Sequence, residues 1–291
     1  DSGSGKTVGI SNELDFTASG ELDNGYTWKY QVQLDGASTA NDDTRLEIGT
    51  DMGAIGLYVS EGGMSKELHG VGAMGPGFDY HSPATFQTGY DVDGYGNIQY
   101  HSPADALPFG AQIKLGYVPD MNDTAQMSAK DANSNPATHS KGRNLTQVNV
   151  TASPIDGLSL QADAAQTSNE TGVAISTEEG VSANVGAKYT MGGATIGYQV
   201  NEADSELANG DEQFTAWSIS YAVSEDLSIS YGSSVIDYET ASTEDQDATG
   251  ISASYTMGSI TIGGGFNEVE SAGGSAGSDA EVTMLNLAFA F

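Results

Sequence analysis

The chain has 291 residues, with 40 acidic and 9 basic side chains, a formal net charge of −31 and no cysteine. This charge argues against nucleic acid as a partner, because binding to phosphates needs clustered Lys and Arg. The lack of cysteine excludes disulfide frameworks, thiol catalysis and thiolate metal sites. The sequence holds no apolar run long enough for a transmembrane helix, but strands can cross a bilayer with only every second residue apolar.

Apolar and polar side chains alternate along most of the chain, beginning at Leu14, Phe16 and Ala18. This period predicts an all-β protein of about 15 strands. Tight turns are predicted at 23–25, 51–53, 154–157, 191–193, 224–226 and 257–259, and long polar links near 37–43, 119–143, 168–180, 201–213, 233–248 and 267–280. The short–long rhythm predicts one domain, 1–291, in which each strand pairs with its sequence neighbour. Such an up-and-down meander closes into a barrel to eliminate its edges.

The two faces of the predicted strands differ in kind. The apolar face carries aromatic residues next to the tight turns: Tyr26, Tyr189, Tyr221, Tyr255 and Phe291. This placement is typical of an aromatic ring at one membrane interface. The opposite face is small and polar, and a barrel of about 16 strands is wide enough to leave an aqueous channel behind it. A soluble β-sandwich or solenoid remains an alternative, although core packing would not require such a ring.

Three segments carry a resemblance to a known family: residues 10–20, 24–34 and the terminal Leu287–Phe291. They resemble the general porins of Gram-negative outer membranes, especially the acidic alphaproteobacterial branch. The resemblance implies an integral outer-membrane barrel of 16 strands that assembles as a homotrimer. Residues 10–20 resemble the second strand of the family, so Asp1–Thr7 are expected to be an outer loop. We therefore expect the first strand to be cleaved, disordered or omitted from this sequence.

The same register makes the long link at 61–95 the third loop, which in porins folds into the barrel and narrows it. We call residues 61–95 the third loop. Its acidic residues, opposed by one loop base, Lys66, are the predicted constriction: Glu61, Glu67, Asp79, Asp91 and Asp93. The predicted pore-wall residues are Glu13, Asp15, Lys29, Arg45, Glu47, Lys114 and Lys188.

Strand two departs from the family pattern. Porins usually place part of an arginine cluster on this strand, opposite the third loop, whereas this chain offers Glu13 and Asp15 there. The resemblance therefore does not imply a strong transverse field between acids and arginines. Because the loop itself is acidic, we expect a moderate preference for cations.

Metal and cofactor signals are weak. Asp91 and Asp93 lie in an oxygen-rich, glycine-turned segment typical of a Ca²⁺ loop, but the full ligand series and its Glu are missing. The prediction is therefore that no cofactor is needed, with a Ca²⁺ ion at Asp91 and Asp93 as the alternative. The four histidines have no metal-ligand spacing: His69, His81, His101 and His139.

The functional prediction is a general diffusion porin for ions and small hydrophilic solutes, with no catalytic residues. Ser4–Thr7 resembles the end of a phosphate-binding loop and 273–277 a nucleophile elbow, but neither has the required strand-to-helix context. A substrate-selective channel or receptor on the same barrel is the first alternative, and a soluble surface or adhesive β-protein is the second. Expected partners are two further copies of the chain, outer-membrane lipid, and lipopolysaccharide bridged by divalent cations to an acidic rim. The acids of this predicted rim are Glu202, Asp204, Glu206, Asp211, Glu212, Asp237, Glu239, Glu244, Asp245 and Asp247.

Overall fold

The computed structural model describes residues 13–35, 40–59, 61–70, 90–104, 106–119, 121, 144–168, 179–205, 210–240 and 243–290. They form one antiparallel sheet of 15 strands in sequence order, so the predicted meander is confirmed. The strands are β1 (Glu13–Glu21), β2 (Thr27–Asp35), β3 (Ala40–Thr50), β4 (Gly53–Val59), β5 (Asn97–His101), β6 (Gln112–Val118), β7 (Leu145–Ala152), β8 (Leu158–Thr167), β9 (Val181–Met191), β10 (Ala194–Asp204), β11 (Glu212–Ala222), β12 (Leu227–Tyr238), β13 (Gln246–Met257), β14 (Ile260–Glu270) and β15 (Ala280–Phe289).

Burial in this sheet is inverted relative to a soluble protein. Successive side chains of a strand point to opposite faces, and here the apolar ones point outward. On β9, Val185 is 57% exposed, whereas its neighbour Asn184 is 4% exposed and points inward. Exposing so many apolar side chains is unfavourable in water but favourable in hydrocarbon, so the outer face is the lipid-contacting face.

The predicted aromatic ring lies on this outer face. Tyr26, Tyr189, Tyr221 and Tyr255 are all at least one-third exposed and stand beside the tight turns. Phe291, the fifth predicted member, lies outside the described residues. Amphipathic rings in this position match the interfacial girdle of a membrane barrel.

Three of the predicted long loops are shorter in the structure, and that part of the prediction is wrong. β10 continues to Asp204, β12 to Tyr238 and β14 to Glu270. The backbone ladder continues here although apolar alternation has stopped, because these strand ends rise beyond the lipid-facing band. Their outward positions therefore carry acids, such as Glu202.

The first strands also differ in extent from the prediction. β3 begins at Ala40, inside the link predicted at 37–43, and the β2–β3 ladder has a register shift between Val32 and Leu34. Among the described residues, β1 and β15 are the two ends of the sheet. The sixteenth strand and the outer loop at Asp1–Thr7 stay predictions, since residues 1–12 lie outside the described part.

Helical structure in the described residues is limited to short 3-10 turns, including Val92–Gly94 in the third loop. None of the helices there is long and apolar enough to cross a membrane.

Candidate functional site: the third loop inside the lumen

The third loop connects β4 to β5, and its described parts, 61–70 and 90–95, lie against the inner wall of the sheet. Ser65 reaches β8, where its hydroxyl donates to Asp163 Oδ2 at 2.5 Å. The carbonyl of His69 accepts from the Ser218 hydroxyl on β11. A segment that starts at β4 and contacts β8 and β11 must cross the interior, so the sheet is curled around it.

Two wall glutamines hold the outgoing half of the loop by its backbone. Gln161 on β8 accepts from Lys66 N at 2.7 Å and donates back to Lys66 O at 2.9 Å. Gln199 on β10 accepts from Leu68 N at 2.8 Å and donates to Asn184 Oδ1 at 3.0 Å. Gln161 therefore pairs with the loop backbone as a neighbouring strand would, whereas Gln199 is held in place by a second wall amide.

The returning half of the loop is held in the same way. Ser182 on β9 both accepts from Tyr90 N and donates to Tyr90 O, each at 3.1 Å. Gln147 on β7 accepts from Val92 N at 3.0 Å. Asn97 at the start of β5 donates to the carbonyls of Val92 and Glu61, each at 3.0 Å, and so joins the two ends of the loop.

Gln99 on β5 donates in the same way to the carbonyl of Gly62 in the loop. We call these wall residues the amide clamp: Asn97, Gln99, Gln147, Gln161, Ser182, Gln199 and Ser218. All of them are buried, inward-facing and uncharged. Buried backbone groups need hydrogen-bond partners, and amides supply both a donor and an acceptor without the desolvation cost of an ion. The clamp binds mainly loop backbone, and of the loop's ionisable side chains it contacts Asp91, through Gln147, and His69, through Gln199.

Glycines on the inner face of the wall make room for the loop. A Cβ on Gly197 of β10 would overlap the backbone carbonyls of Leu68 and His69. A Cβ on Gly186 of β9 would come within 3.2 Å of the Leu68 side chain. The absence of side chains at these two positions therefore lets the loop backbone approach the wall closely.

A hydrophobic cluster packs the loop against the wall beside the clamp. Met64 and Val92 from the loop pack with Val118, Leu145 and Ala165 on β6, β7 and β8, and all five are fully or almost fully buried. This contact fixes the loop through its two ends at once. It is the local substitute for a hydrophobic core inside an otherwise polar interior.

Among the predicted constriction residues, Glu61 lies against β3. Its Oε1 is 3.5 Å from Arg45 Nε, and Arg45 Nη2 donates to Gln31 at 2.6 Å. Burial raises the pKa of Glu61, while Arg45 acts in the opposite direction. Glu47, a predicted wall residue, accepts from the Tyr58 hydroxyl at 2.8 Å. Arg45, Glu61 and Glu47, all predicted pore residues, therefore lie close together beside β3 and β4.

Glu67 lies farther along the loop, beside the wall at β10 and β11. Its Oε1 is 3.2 Å from His69 Nε2. His69 is buried, contacts Gln199 Oε1 through Nδ1 at 3.2 Å, and meets Phe214 edge-on with ring centroids 5.3 Å apart. Burial lowers the pKa of His69 to about 4. The imidazole is therefore neutral at ordinary pH and gives the Glu67 carboxyl group no cationic partner.

Asp91 and Asp93 are brought close to the wall acid Asp163. Asp91 Oδ1 accepts from Asp93 N at 3.1 Å, and Asp91 Oδ2 accepts from Gln147 Nε2 at 3.1 Å. Burial first, and then the neighbouring Asp93, raises the pKa of Asp91 to about 7. Asp91 is thus an acid that changes charge near neutral pH.

These contacts bear on the proposed Ca²⁺ ion without testing it. Both Asp91 carboxyl oxygens already accept hydrogen bonds. No group of three or more His, Asp or Glu side chains placed to hold a metal occurs in the described part of the chain. A divalent ion at Asp91 and Asp93 stays a prediction.

The remaining predicted wall residues are spread around the lumen. Lys114 on β6 is within electrostatic range of Lys66 and Asp91, and Lys29 is within range of Glu61. Lys188 is half-buried on β9, and Asp15 is exposed on the inner face of β1. The Glu13 side chain and Asp79 lie outside the described residues.

The acidic rim is placed at the ends of β10, β11 and β12. Six of its acids line one open hollow of about 290 Å³: Glu202, Asp204, Asp211, Glu212, Asp237 and Glu239. Glu206, predicted in the same rim, lies outside the described residues. The hollow is at the long-loop end of the strands, away from the third-loop acids.

The amide clamp is the part of the site that sequence reasoning missed. Its residues lie on the inner face of the strands, where the sequence predicts only a polar wall facing an aqueous channel. A signal was available in the repetition of amides at inward positions of strands β5, β7, β8 and β10. These amides bind backbone groups of the loop, and a backbone partner cannot be recognised from the residue types in the sequence.

A curled sheet with an apolar outer face, a polar interior and a loop folded inside defines an outer-membrane channel. The sequence profile of the Gram-negative porin family matches residues 1–291, and the chain belongs to that family. It is accordingly an integral protein of the Gram-negative outer membrane.

Solved structures with the same fold include three porins or outer-membrane proteins. The anion-selective porin of Comamonas acidovorans superposes with a TM-score of 0.66 at 15% identity, covering 97% of this chain and 90% of its own. A porin refined at 1.8 Å gives 0.68 at 15% identity, with coverage of 96% and 92%. OmpT of Vibrio cholerae gives 0.57 at 16% identity, with coverage of 96% and 85%. No curated protein sequence matches the chain.

Proposed function

We propose that the chain forms a general diffusion pore for ions and small hydrophilic solutes, with a moderate preference for cations. The observation that carries this proposal is the third loop itself, which an uncharged clamp holds inside the lumen and whose described residues include more acids than bases. The described loop contributes four carboxyl groups against Lys66: Glu61, Glu67, Asp91 and Asp93. Passage is driven by the solute gradient and needs no covalent step.

The size of the preference follows from electrostatics in a narrow passage. Two unit charges about 4 Å apart at an effective dielectric of about 20 interact by roughly 4 kcal/mol. Two features reduce this figure here: Arg45 pairs with Glu61, and Asp91 is partly protonated near neutral pH. Salt screening reduces it further. A several-fold bias toward cations remains. The anion selectivity of the Comamonas porin does not transfer at 15% identity.

Planar-bilayer recording tests the diffusion mechanism. A general pore gives a conductance that rises in proportion to salt and is not blocked by micromolar concentrations of any single sugar, amino acid or nucleoside. Swelling of vesicles in a size series of neutral sugars should then show a smooth decline with solute size. Saturation or block by one solute would instead assign the barrel to a substrate-selective channel.

We propose further that the barrel is a homotrimer. The outer faces of β1 and β4 expose Leu14, Phe16, Ile55 and Leu57, each more than half exposed, which gives a broad apolar surface for a second copy. Native mass spectrometry from mild detergent should report three chains. A monodisperse monomer would contradict the trimer without affecting the diffusion proposal.

The acidic rim is proposed to bind lipopolysaccharide through divalent cations, because like-charged carboxylates around one hollow repel each other unless a cation lies between them. Adding a chelator to the lipopolysaccharide-bound protein should lower its thermal stability. An unchanged unfolding temperature would mean that the rim is merely solvated.

A further inference from the structure

Each of the seven links at the tight-turn end of the sheet carries, or is flanked by, an exposed large apolar side chain in its described residues. These residues are Leu22, Met52, Phe109, Ile155, Met191, Val223 and Met257, and they are 43–78% exposed. We call them the turn tips. Short turns of a globular protein in water are normally polar, so a repeated apolar residue at this end of the barrel indicates a surface that is not in water.

Three of the turn tips continue the lipid-facing stripe beyond the aromatic ring. Met191 follows Tyr189 on the outward face of β9, Val223 follows Tyr221 beyond β11, and Met257 follows Tyr255 on β13. Because side chains two residues apart share a face of a strand, the apolar surface does not end at the tyrosines. It runs without interruption from the lipid-contacting band onto the turns.

Phe109 adds an independent observation. Its φ is 64°, which a residue with a bulky side chain rarely adopts, and the residue is 67% exposed. The backbone is held there by the Phe109 carbonyl, which accepts from Ser153 N of the neighbouring turn at 2.9 Å. A strained backbone that presents an aromatic ring outward has no benefit in water, but it does have one at a lipid interface.

The charged residues of the same turns indicate which lipid headgroup this surface would bind. Five exposed carboxylates lie in them: Asp23, Asp51, Asp156, Glu225 and Asp226. The described turn residues contain neither Lys nor Arg. Carboxylates attract the ammonium group of a zwitterionic aminophospholipid and repel a lipid with net negative charge. We propose that the short-turn end of the barrel is a binding surface for zwitterionic aminophospholipids, with the turn tips among the acyl chains and the carboxylates at the ammonium groups.

The distribution of the turn tips favours lipid over a protein partner. They are spread one to a turn around the whole described circumference, whereas a protein interface would concentrate apolar residues into one contiguous patch. A lipid annulus surrounds a barrel on all sides. The ring of turn tips has that same geometry.

Spin labelling tests the depth of the turn tips in the full chain. The protein has no cysteine, so Met52→Cys, Met191→Cys and Met257→Cys each give one labelled site. Ser275→Cys, exposed at the long-loop end, is the matched aqueous control. In phosphatidylethanolamine-containing vesicles, the three turn labels should be more accessible to oxygen and less accessible to a water-soluble nickel complex than the control. Nickel accessibility equal to that of the control would overturn the proposal and favour an aqueous or protein-binding rim.

A second measurement tests the headgroup. Native mass spectrometry should show more retained phosphatidylethanolamine than phosphatidylcholine, and least phosphatidylglycerol. The variant carrying Asp23→Asn, Asp51→Asn, Asp156→Asn, Glu225→Gln and Asp226→Asn should lose this order. A control with the same number of amide substitutions at exposed long-loop-end acids outside the acidic rim should keep it: Glu179→Gln, Glu268→Gln, Glu270→Gln, Asp279→Asn and Glu281→Gln. An order unchanged in the turn variant, or lost equally in the control, would overturn the assignment.

Discussion

Replacing Gln199 by Leu should loosen the third loop while leaving the barrel wall intact. The substitution is close in volume, but it removes the acceptor for Leu68 N at 2.8 Å and for His69 N at 3.4 Å. It also removes the donor to Asn184. The amide clamp would then hold this stretch through Gln161 and Ser218 alone.

The expected cost follows from the number of buried groups left without partners. An unsatisfied buried donor costs about 1–3 kcal/mol. The variant loses two hydrogen bonds from the loop backbone, one at 2.8 Å and one at 3.4 Å. The free energy that docks residues 68–69 on the wall should therefore fall by roughly 2–4 kcal/mol. Since 1.4 kcal/mol is tenfold in an equilibrium constant, brief undocking should become about 30- to 1000-fold more frequent.

Single-channel recording detects this change directly. The Gln199→Leu pore should show greater open-channel noise and excursions to higher current, because the loop leaves the wall and re-docks. Gln213→Leu is the matched control, since Gln213 lies on the outer face of β11 and donates to Glu202 at 2.8 Å. Identical noise and conductance in both variants would refute the claim that wall amides hold the loop.

Three further predictions use other parts of the site. Gly197→Ala should lower conductance, because the new Cβ overlaps the Leu68 carbonyl and pushes the loop into the passage; Gly263→Ala, whose Cβ would meet one atom at 3.9 Å, should leave the conductance unchanged. Cation preference, measured as a reversal potential, should decline as the pH falls through about 7, because Asp91, with its raised pKa, takes up a proton there; Asp91→Asn should abolish this dependence. Arg45→Gln should increase cation preference in alkaline buffer, since Glu61 loses its ion-pair partner.

The sheet could be predicted because its signal is local and repeated. Alternation along segments such as Val181–Tyr189 fixes which face meets lipid, and turns such as Asp51–Gly53 fix where strands reverse. The ends of β10, β12 and β14 could not be read in the same way. Beyond the lipid, the outward positions accept any polar residue, so alternation fades while the backbone ladder continues.

The candidate site was predictable in its location and not in its contacts. The position of the third loop followed from the family resemblance and from its length. Its attachment depends on side chains far apart in sequence that bond to backbone, as Gln161 does to Lys66. The raised pKa of Asp91 depends on burial and on the neighbouring Asp93, which only the folded loop establishes.

Reversal potential in a planar bilayer under a tenfold gradient of KCl tests the central claim most directly. The unmodified pore should give a potential of the sign expected for cation selectivity. The Asp91→Asn/Asp93→Asn pore should lie closer to zero, while a rim control, Glu202→Gln/Asp204→Asn, should match the unmodified pore. Anion selectivity in the unmodified pore, or equal shifts in both variants, would contradict the assignment of the constriction to the third loop.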